Sequence, residues 1–211
     1  KLRDHQREAY KCMLTWLRSG EPGHRRYIAH ATGMGKTLHF LCLVIEALKK
    51  GLRSLIVVSS QTLVVQTARE IYNYTKGAVA VGHISSLPFE IRDHEDASIL
   101  YATRGWQDAS IVIITQDSFR NQAKRLAEGF DPHLIIRDEM HWSYTDPQLH
   151  ALDCFPESII IGYSATPDYL TTTARSHYVP VRLDNGSFLY ADPNRLADTH
   201  FGSCLHRVGL R

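Results

Sequence analysis

Short runs of consecutive apolar residues alternate along this chain with stretches in which apolar residues recur every three or four positions. The first pattern is typical of strands buried on both faces, and the second is typical of amphipathic helices. The apolar runs predict strands at 27–29, 55–58, 111–114, 134–136 and 159–161. The helical pattern predicts helices at about 38–48, 63–74 and 118–128. This alternation indicates an α/β fold, with a mostly parallel sheet and helices on both of its faces.

Two regions lack this regularity. Residues 83–107 contain Pro88, Gly105 and mixed charges, and the pattern weakens again after Pro167. We therefore predict one domain over residues 1–167, followed by an extension or linker over 168–211. Within that linker the basic stretch 206–211 is interpreted as a helix end or linker.

Composition and charge restrict the cellular compartment and the kinds of partner that we expect, but they do not identify the function. The net charge of +2 is too small to indicate a polyanionic partner, so a nucleic-acid site must be a local patch. The four cysteines are widely spaced and form no C-x-x-C pair, which favours a reducing compartment. No apolar run approaches the ~18–20 residues that cross a bilayer, and no signal peptide is recognisable. We expect a cytoplasmic protein, or a nucleoid or nuclear one, without membrane contact. Because the chain begins with Lys1, we also expect it to be part of a longer protein.

The segment His30–Thr37 lies between the first predicted strand and the first predicted helix, with the sequence HATGMGKT. A glycine-rich loop between a strand and a helix gathers backbone N–H groups where a phosphate chain can bind. Lys36 would reach the β- and γ-phosphates, and the Thr37 hydroxyl would bind Mg²⁺. The usual first glycine of this pattern is replaced by His30.

A second signal follows the strand at 134–136, where Asp138 and Glu139 stand side by side. In a phosphate-loop enzyme this position serves Mg²⁺ and the attacking water. Asp138 would hold the metal ion, and Glu139 would orient and deprotonate the water. Taken alone, the pair could also be two solvated carboxylates at the start of a loop.

A third signal is Ser164-Ala165-Thr166, which follows the strand at 159–161. On its own it would be an ordinary strand ending. The carboxyl ends of parallel strands meet at one edge of a sheet, which is where such sheets bind ligands. The three segments are therefore expected to converge on a triphosphate and its divalent ion.

Together these residues resemble the first RecA-like lobe of superfamily 2 helicases and translocases of the DExH group. Residues 32–37 look like motif I, residues 138–141 like motif II and residues 164–166 like motif III. The resemblance covers residues 1–167. It is nearest to restriction-enzyme motor subunits and DNA-repair helicases.

The resemblance implies roles for further residues. The opening Leu2-Arg3-Asp4-His5-Gln6 would place the Gln6 amide on the adenine base. The nucleotide-binding set would then comprise Gln6, Thr32, Gly33, Met34, Gly35, Lys36 and Thr37. The set that couples nucleotide state to nucleic-acid grip would comprise His141, Ser164 and Thr166. The set that contacts the nucleic-acid backbone would comprise Ser60, Gln66 and Thr115.

The function implied is that of an ATP hydrolase lobe, with ATP and Mg²⁺ as cofactors, that couples hydrolysis to movement along DNA. An RNA helicase lobe and a nucleotide-binding scaffold without motor activity remain alternatives. The family's motor has a second RecA-like lobe, which would belong to the same parent chain. The lobe alone would therefore be weakly active or inactive.

Overall fold

The computed structural model describes residues 2–19, 25–31, 33–76, 78–79, 81–84, 106–167, 181–182, 188–189, 197 and 201–208. The helices are α1 (Asp4–Ser19), α2 (Lys36–Lys49), α3 (Gln61–Thr75), α4 (Gln116–Gly129) and α5 (Asp146–Asp153). The first strands along the chain are β1 (Arg25–His30), β2 (Ser54–Val58), β3 (Val81–Ile84) and β4 (Ile111–Thr115). The later strands are β5 (Leu134–Arg137), β6 (Ile159–Ser164), β7 (Val181–Arg182), β8 (Phe188–Leu189) and β9 (Cys204–Val208). Short 3₁₀ turns lie at Trp106–Asp108 and Met140–Ser143.

Within the described ranges, seven strands form one sheet in the order β3-β4-β2-β5-β6-β1-β9. Every pairing in that sheet is parallel. The two short strands β7 and β8 form a separate antiparallel pair. All five predicted strands and all three predicted helices are present, which confirms the predicted α/β class and its parallel sheet.

Alternating residues of the central strand β2 divide the core between the two faces of the sheet. Leu55 and Val57 belong to a cluster that includes Phe119 of α4 and Leu152 of α5. Ile56 and Val58 belong to a second cluster, with apolar residues of α1, α2 and α3. Successive side chains of a strand point to opposite faces. The helices therefore cover both faces, and the interior strands β2 and β4 consist mostly of apolar residues.

The end of the chain differs from the prediction. Residues 204–208 form β9, which pairs with β1, whereas a basic helix end or linker was expected there. The pairing gives hydrogen-bond partners to the side of β1 that does not face β6. Its partner strand lies far away in sequence, so no local pattern announced it. The division at residue 167 remains a prediction.

In the described part of the chain, no helix has both the length and the apolar character needed to cross a bilayer. All four cysteines are free thiols.

Candidate nucleotide and nucleic-acid site

The loop after β1 has the backbone that phosphate binding requires. Gly33 and Gly35 adopt left-handed conformations, with φ values of +78° and +76°. Gly35 is the N-cap of α2 and makes no side-chain capping hydrogen bond. The first N–H groups of a helix have no partner within the helix, and together with the loop amides they attract anions. Met34 lies between the two glycines, while Thr32, also predicted to bind nucleotide, lies outside the described residues.

Helix α1 packs against this loop through Gln6. The Gln6 Nε2 donates to the carbonyl oxygens of Met34 at 3.1 Å and Gly35 at 3.3 Å, and its Oε1 accepts from the Arg3 backbone N–H at 2.8 Å. A Cβ at Gly35 would displace the Gln6 amide nitrogen, and the positive φ at this position itself favours glycine. Gln6 thus supports the loop, and its contact with adenine remains a prediction.

The lysine of the loop meets the acidic pair. Lys36 Nζ lies 3.1 Å from Glu139 Oε1, which joins the start of α2 to the residues after β5. Neither side chain is strongly exposed, and the contact is therefore less screened than a surface ion pair. Thr37 follows in the same first turn of α2 and is half-buried. The structure thus brings together the two segments that the sequence predicted to converge.

Asp138 is held beside Glu139 in a partly buried position. The Asp138 backbone N–H donates to the Val57 carbonyl at 2.9 Å, and the Asp138 Oδ1 accepts from the Glu139 N–H at 3.0 Å. Burial raises the pKa of Asp138 to about 6, and the charge of Glu139 adds to this, while Lys36 opposes it. A carboxylate whose charge is disfavoured in this way gains most from a nearby cation. With the hydroxyl of Thr37, this oxygen donor chemistry fits Mg²⁺.

Glu139 itself adopts a left-handed backbone conformation, with φ of +46°. Such a conformation is uncommon for a residue with a side chain and persists only where the surroundings enforce it. The 3₁₀ turn Met140–Ser143 begins directly afterwards. The turn aims the Glu139 carboxylate back toward Lys36 and His141.

The predicted coupling residues are in contact with one another. His141 Nδ1 lies 2.8 Å from Ser164 Oγ and 3.4 Å from Glu139 Oε2, and Ser164 Oγ also accepts from the Thr166 backbone N–H at 3.0 Å. Burial lowers the pKa of His141, which the neighbouring Glu139 partly offsets. The end of β6 is thereby connected to the acidic pair through one imidazole ring.

Met140 explains the close fit of β6 to this segment. Met140 is fully buried and packs over Gly162, where an added Cβ would collide with the Met140 sulfur and approach Phe201 to 3.0 Å. Met140 thus fills the space above a glycine with an apolar side chain. Packing interlocks β6 with the turn that carries the acidic pair.

The candidate backbone-binding residues lie at helix starts on neighbouring strands. The Ser60 Oγ caps α3 by accepting from the Leu63 N–H at 3.3 Å, and the Thr115 Oγ1 caps α4 by accepting from the Ser118 N–H at 3.4 Å. Val58 and Thr115 are paired in register across β2 and β4, so the two helix starts are adjacent. Gln66 lies one turn into α3 and donates to Glu70 at 3.2 Å. Helix N-termini with hydroxyl caps suit phosphate contacts.

Sequence reasoning missed a group of histidines behind the phosphate loop. His30 Nε2 lies 2.9 Å from His206 Nδ1, and the His30 ring also approaches the rings of His5 and His39. His5 in turn lies 3.0 Å from the Met34 carbonyl. His30 is completely buried. No spacing rule could have paired it with His206, which lies on β9.

Arg137 and Gln148 were missed as well. Arg137 is the last residue of β5 and is almost completely buried, and Gln148 of α5 is one of its hydrogen-bond partners. The signal was present in the sequence, because a charged residue closes an otherwise apolar run.

Comparison with known proteins identifies the family. The family described as "Type III restriction enzyme, res subunit" matches residues 1–169. No curated protein matches the chain by sequence.

Several solved structures share the fold. The UvsW helicase from bacteriophage T4 superposes with a TM-score of 0.63 at 16% identity, over 98% of this chain and 60% of that one. A nuclease-deletion mutant of the Type ISP restriction-modification enzyme LlaGI, in complex with a DNA substrate mimic, gives 0.64 at 20% identity, over 100% of this chain and 20% of that one. The Sulfolobus solfataricus SWI2/SNF2 ATPase core in complex with dsDNA gives 0.55 at 20% identity, over 79% of this chain and 32% of that one. The chain thus spans less than two thirds of the length of each of these proteins.

The family match covers 169 of the 211 residues, and the parallel sheet carries the three predicted motif segments at the ends of β1, β5 and β6. The chain therefore belongs to the family of the res subunit of type III restriction enzymes and shares its fold with the UvsW helicase.

Proposed function

We propose that this lobe binds and hydrolyses ATP within a motor that moves along DNA. The observation that carries the proposal is the contact of Lys36 with Glu139, together with the His141–Ser164 contact at the neighbouring strand end. A phosphate-binding loop, an acidic pair and a third strand end thereby share one edge of the sheet. The proteins of similar fold include two whose structures contain DNA or a DNA mimic, which supports DNA over RNA.

The residues divide the work of hydrolysis by their chemistry. The amides of the loop and the Lys36 ammonium bind and orient the triphosphate. Thr37 and Asp138 would hold Mg²⁺, which supplies Lewis-acid stabilisation of the phosphate charge when bound. Glu139 orients a water and accepts its proton. The left-handed backbone of Glu139 keeps its carboxylate next to Lys36.

The proposal extends to partners outside the chain. A second RecA-like lobe of the same parent would close over the ATP and supply arginines, which in related systems are worth roughly 10³–10⁵ in rate. The 211-residue chain alone should therefore bind ATP and turn it over slowly. Nucleic acid would contact the α3 and α4 starts near Ser60 and Thr115 through backbone phosphates.

The test is ATP hydrolysis by the intact parent protein, measured with no nucleic acid, with single-stranded DNA, with duplex DNA and with RNA. DNA stimulation that weakens steeply as salt is raised is the expected result, because phosphate contacts release counterions. If RNA stimulated hydrolysis and DNA did not, RNA would be the nucleic acid along which the motor moves. Hydrolysis that no nucleic acid changes would contradict a motor and favour a scaffold or a different phosphate-loop enzyme.

A further inference from the structure

Arg137 is a charged residue at the centre of the fold. It ends β5, directly before the acidic pair, and only 1% of its surface is exposed. Burial lowers the pKa of Arg137 to about 9, whereas Asp117 and Asp138 favour its charged form. The guanidinium therefore stays charged at neutral pH. A charge in this position must be held by specific polar partners.

Its partners lie on two segments beyond the strand. Arg137 Nε donates to the Ser143 hydroxyl, which belongs to the 3₁₀ turn that follows Glu139. Arg137 Nη2 donates to Gln148 Oε1 at 2.8 Å, and the guanidinium carbon lies 5.5 Å from the centre of the Phe119 ring. Arg137, the last residue of β5, thus forms hydrogen bonds both to the turn after Glu139 and to helix α5. Asp138 is the next residue along the chain.

Gln148 extends this hydrogen-bond network from Arg137 to the start of α4. Its Nε2 donates to the backbone carbonyl of Gln116 at 3.0 Å, while its Oε1 accepts from Arg137. Gln116 is the first residue of α4 and directly follows Thr115, the cap of that helix. A single buried amide therefore joins the guanidinium beside the acidic pair to the helix start that would contact nucleic acid.

Stability alone does not account for this arrangement. Well-packed apolar residues often hold such a position as firmly as a buried charge does. Moreover, Arg137 Nη1 has no hydrogen-bond partner among the described residues. The arrangement does link two places that a motor must coordinate.

We propose that Arg137 and Gln148 are positioning residues through which nucleic acid bound at the β4–α4 junction sets the orientation of Glu139. This inference rests on the proposed function. Nucleic acid at Thr115 would fix the first turn of α4, and the Gln116 carbonyl would hold the Gln148 amide in place. Arg137 would then hold the 140–143 turn, and with it the Glu139 carboxylate, in its productive position.

The Gln148 side chain forms one hydrogen bond with Arg137 and one with the Gln116 carbonyl, and Gln148→Glu keeps the first and removes the second. The new carboxylate still accepts from Arg137 but cannot donate to the Gln116 carbonyl, and its size is nearly unchanged. Arg137→Met removes the hydrogen bonds to both Ser143 and Gln148 and leaves the one between Gln148 and the Gln116 carbonyl. Arg25→Met is the matched control, because Arg25 lies at the opposite end of the sheet and pairs with the exposed Asp153 at 2.6 Å. All three are made in the intact parent protein.

The measurements are the ATPase rate without and with saturating DNA, the KM for ATP, and DNA affinity from the anisotropy of a labelled oligonucleotide. For Gln148→Glu we expect the stimulation by DNA to fall by about fivefold or more. Its KM for ATP and its DNA affinity should stay within about twofold of wild type. Arg137→Met should lose stimulation as well, and Arg25→Met should keep it.

The outcomes separate this inference from the proposed function. If wild type responds to DNA and Gln148→Glu responds equally, the inference is wrong while the motor assignment stands. A lower melting temperature with unchanged stimulation would likewise reduce Arg137 and Gln148 to a structural role. If wild type itself ignores every nucleic acid, both proposals fall. If Arg137→Met does not fold, Gln148→Glu alone decides.

Discussion

Lys36 Nζ and Glu139 Oε1 lie 3.1 Å apart, although 103 positions separate the two residues in the chain. The contact joins the first residue of α2 to the residue that follows Asp138. Because the two side chains differ in charge and chemistry, replacing each of them should impair a different step of ATP hydrolysis. The lysine should be needed for holding phosphate, and the carboxylate for activating water.

Replacing Lys36 with alanine should abolish ATP hydrolysis through weak nucleotide binding. The ammonium is the loop's positive charge for the β- and γ-phosphates, so affinity for ATP should fall by about tenfold or more. Titration with a fluorescent ATP analogue measures this. Lys49→Ala is the control, because Lys49 lies at the other end of α2 and pairs with Glu46 on the surface. Wild-type nucleotide affinity in Lys36→Ala would contradict the phosphate-binding role.

Replacing Glu139 with glutamine should preserve binding and remove turnover. The amide keeps the size of the side chain but cannot accept the proton of the attacking water, so kcat should fall by about 10²–10⁴. Single-turnover hydrolysis by the intact parent protein, measured beside nucleotide titration, distinguishes the two steps. Glu157→Gln, at an exposed position before β6, should behave as wild type. Normal hydrolysis by Glu139→Gln would show that another group is the base.

Local patterns in the sequence predicted five of the seven strands of the sheet and the three site segments, but not β3 or β9. Each apolar run, such as 111–114, announced a strand, and the residues after the strands carried the chemistry. The topology rule that parallel strand ends meet at one edge then placed Lys36 near Glu139. The strand and helix predictions used information within about ten residues of each position, and for that reason they succeeded.

The missing parts depend on contacts between distant segments. His30 packs against His206 because β9 pairs with β1, and neither histidine carries a local sign of this. Gln148 bonds Arg137 because α5 folds back onto the sheet. The support that Gln6 gives to the loop also arises from the packing of α1. A single sequence gives the element types reliably but not these tertiary partners.

Replacing Ser164 with alanine should slow hydrolysis without weakening ATP binding. The substitution removes the hydroxyl that contacts His141 at 2.8 Å and accepts from the Thr166 N–H. His141 would then be less well fixed beside Glu139, and we expect kcat to fall by about tenfold with a KM near wild type. Ser158→Ala is the control, because Ser158 is buried at the other end of β6 and donates to the Pro132 carbonyl. Equal losses of activity in the two variants would indicate a general loss of stability.

The buried histidines predict how stability changes with pH. Burial, aided by neighbouring histidines, lowers the pKa of His39 to about 3 and that of His30 to about 4, from an ordinary value of 6.5. The unfolded chain therefore binds more protons than the folded one once the pH drops below about 6.5. The contribution of each neutral histidine to stability is fully present above that pH. It is lost as the pH falls toward the folded-state values.

His39→Phe tests this relationship. Each such histidine contributes a slope of up to about 1.4 kcal/mol in the free energy of unfolding per pH unit. At neutral pH the variant should be less stable by about 1 kcal/mol, because the Tyr163 hydroxyl loses its partner at 2.7 Å. The deficit should shrink or reverse on acidification, since the variant has one fewer group to protonate on unfolding. Urea unfolding of the 211-residue chain at several pH values between about pH 5 and pH 7.5 measures both effects.

His150→Phe, at an exposed position of α5, is the control and should keep the wild-type slope. An unchanged slope in His39→Phe would mean that His39 is protonated as readily in the folded chain as in the unfolded one.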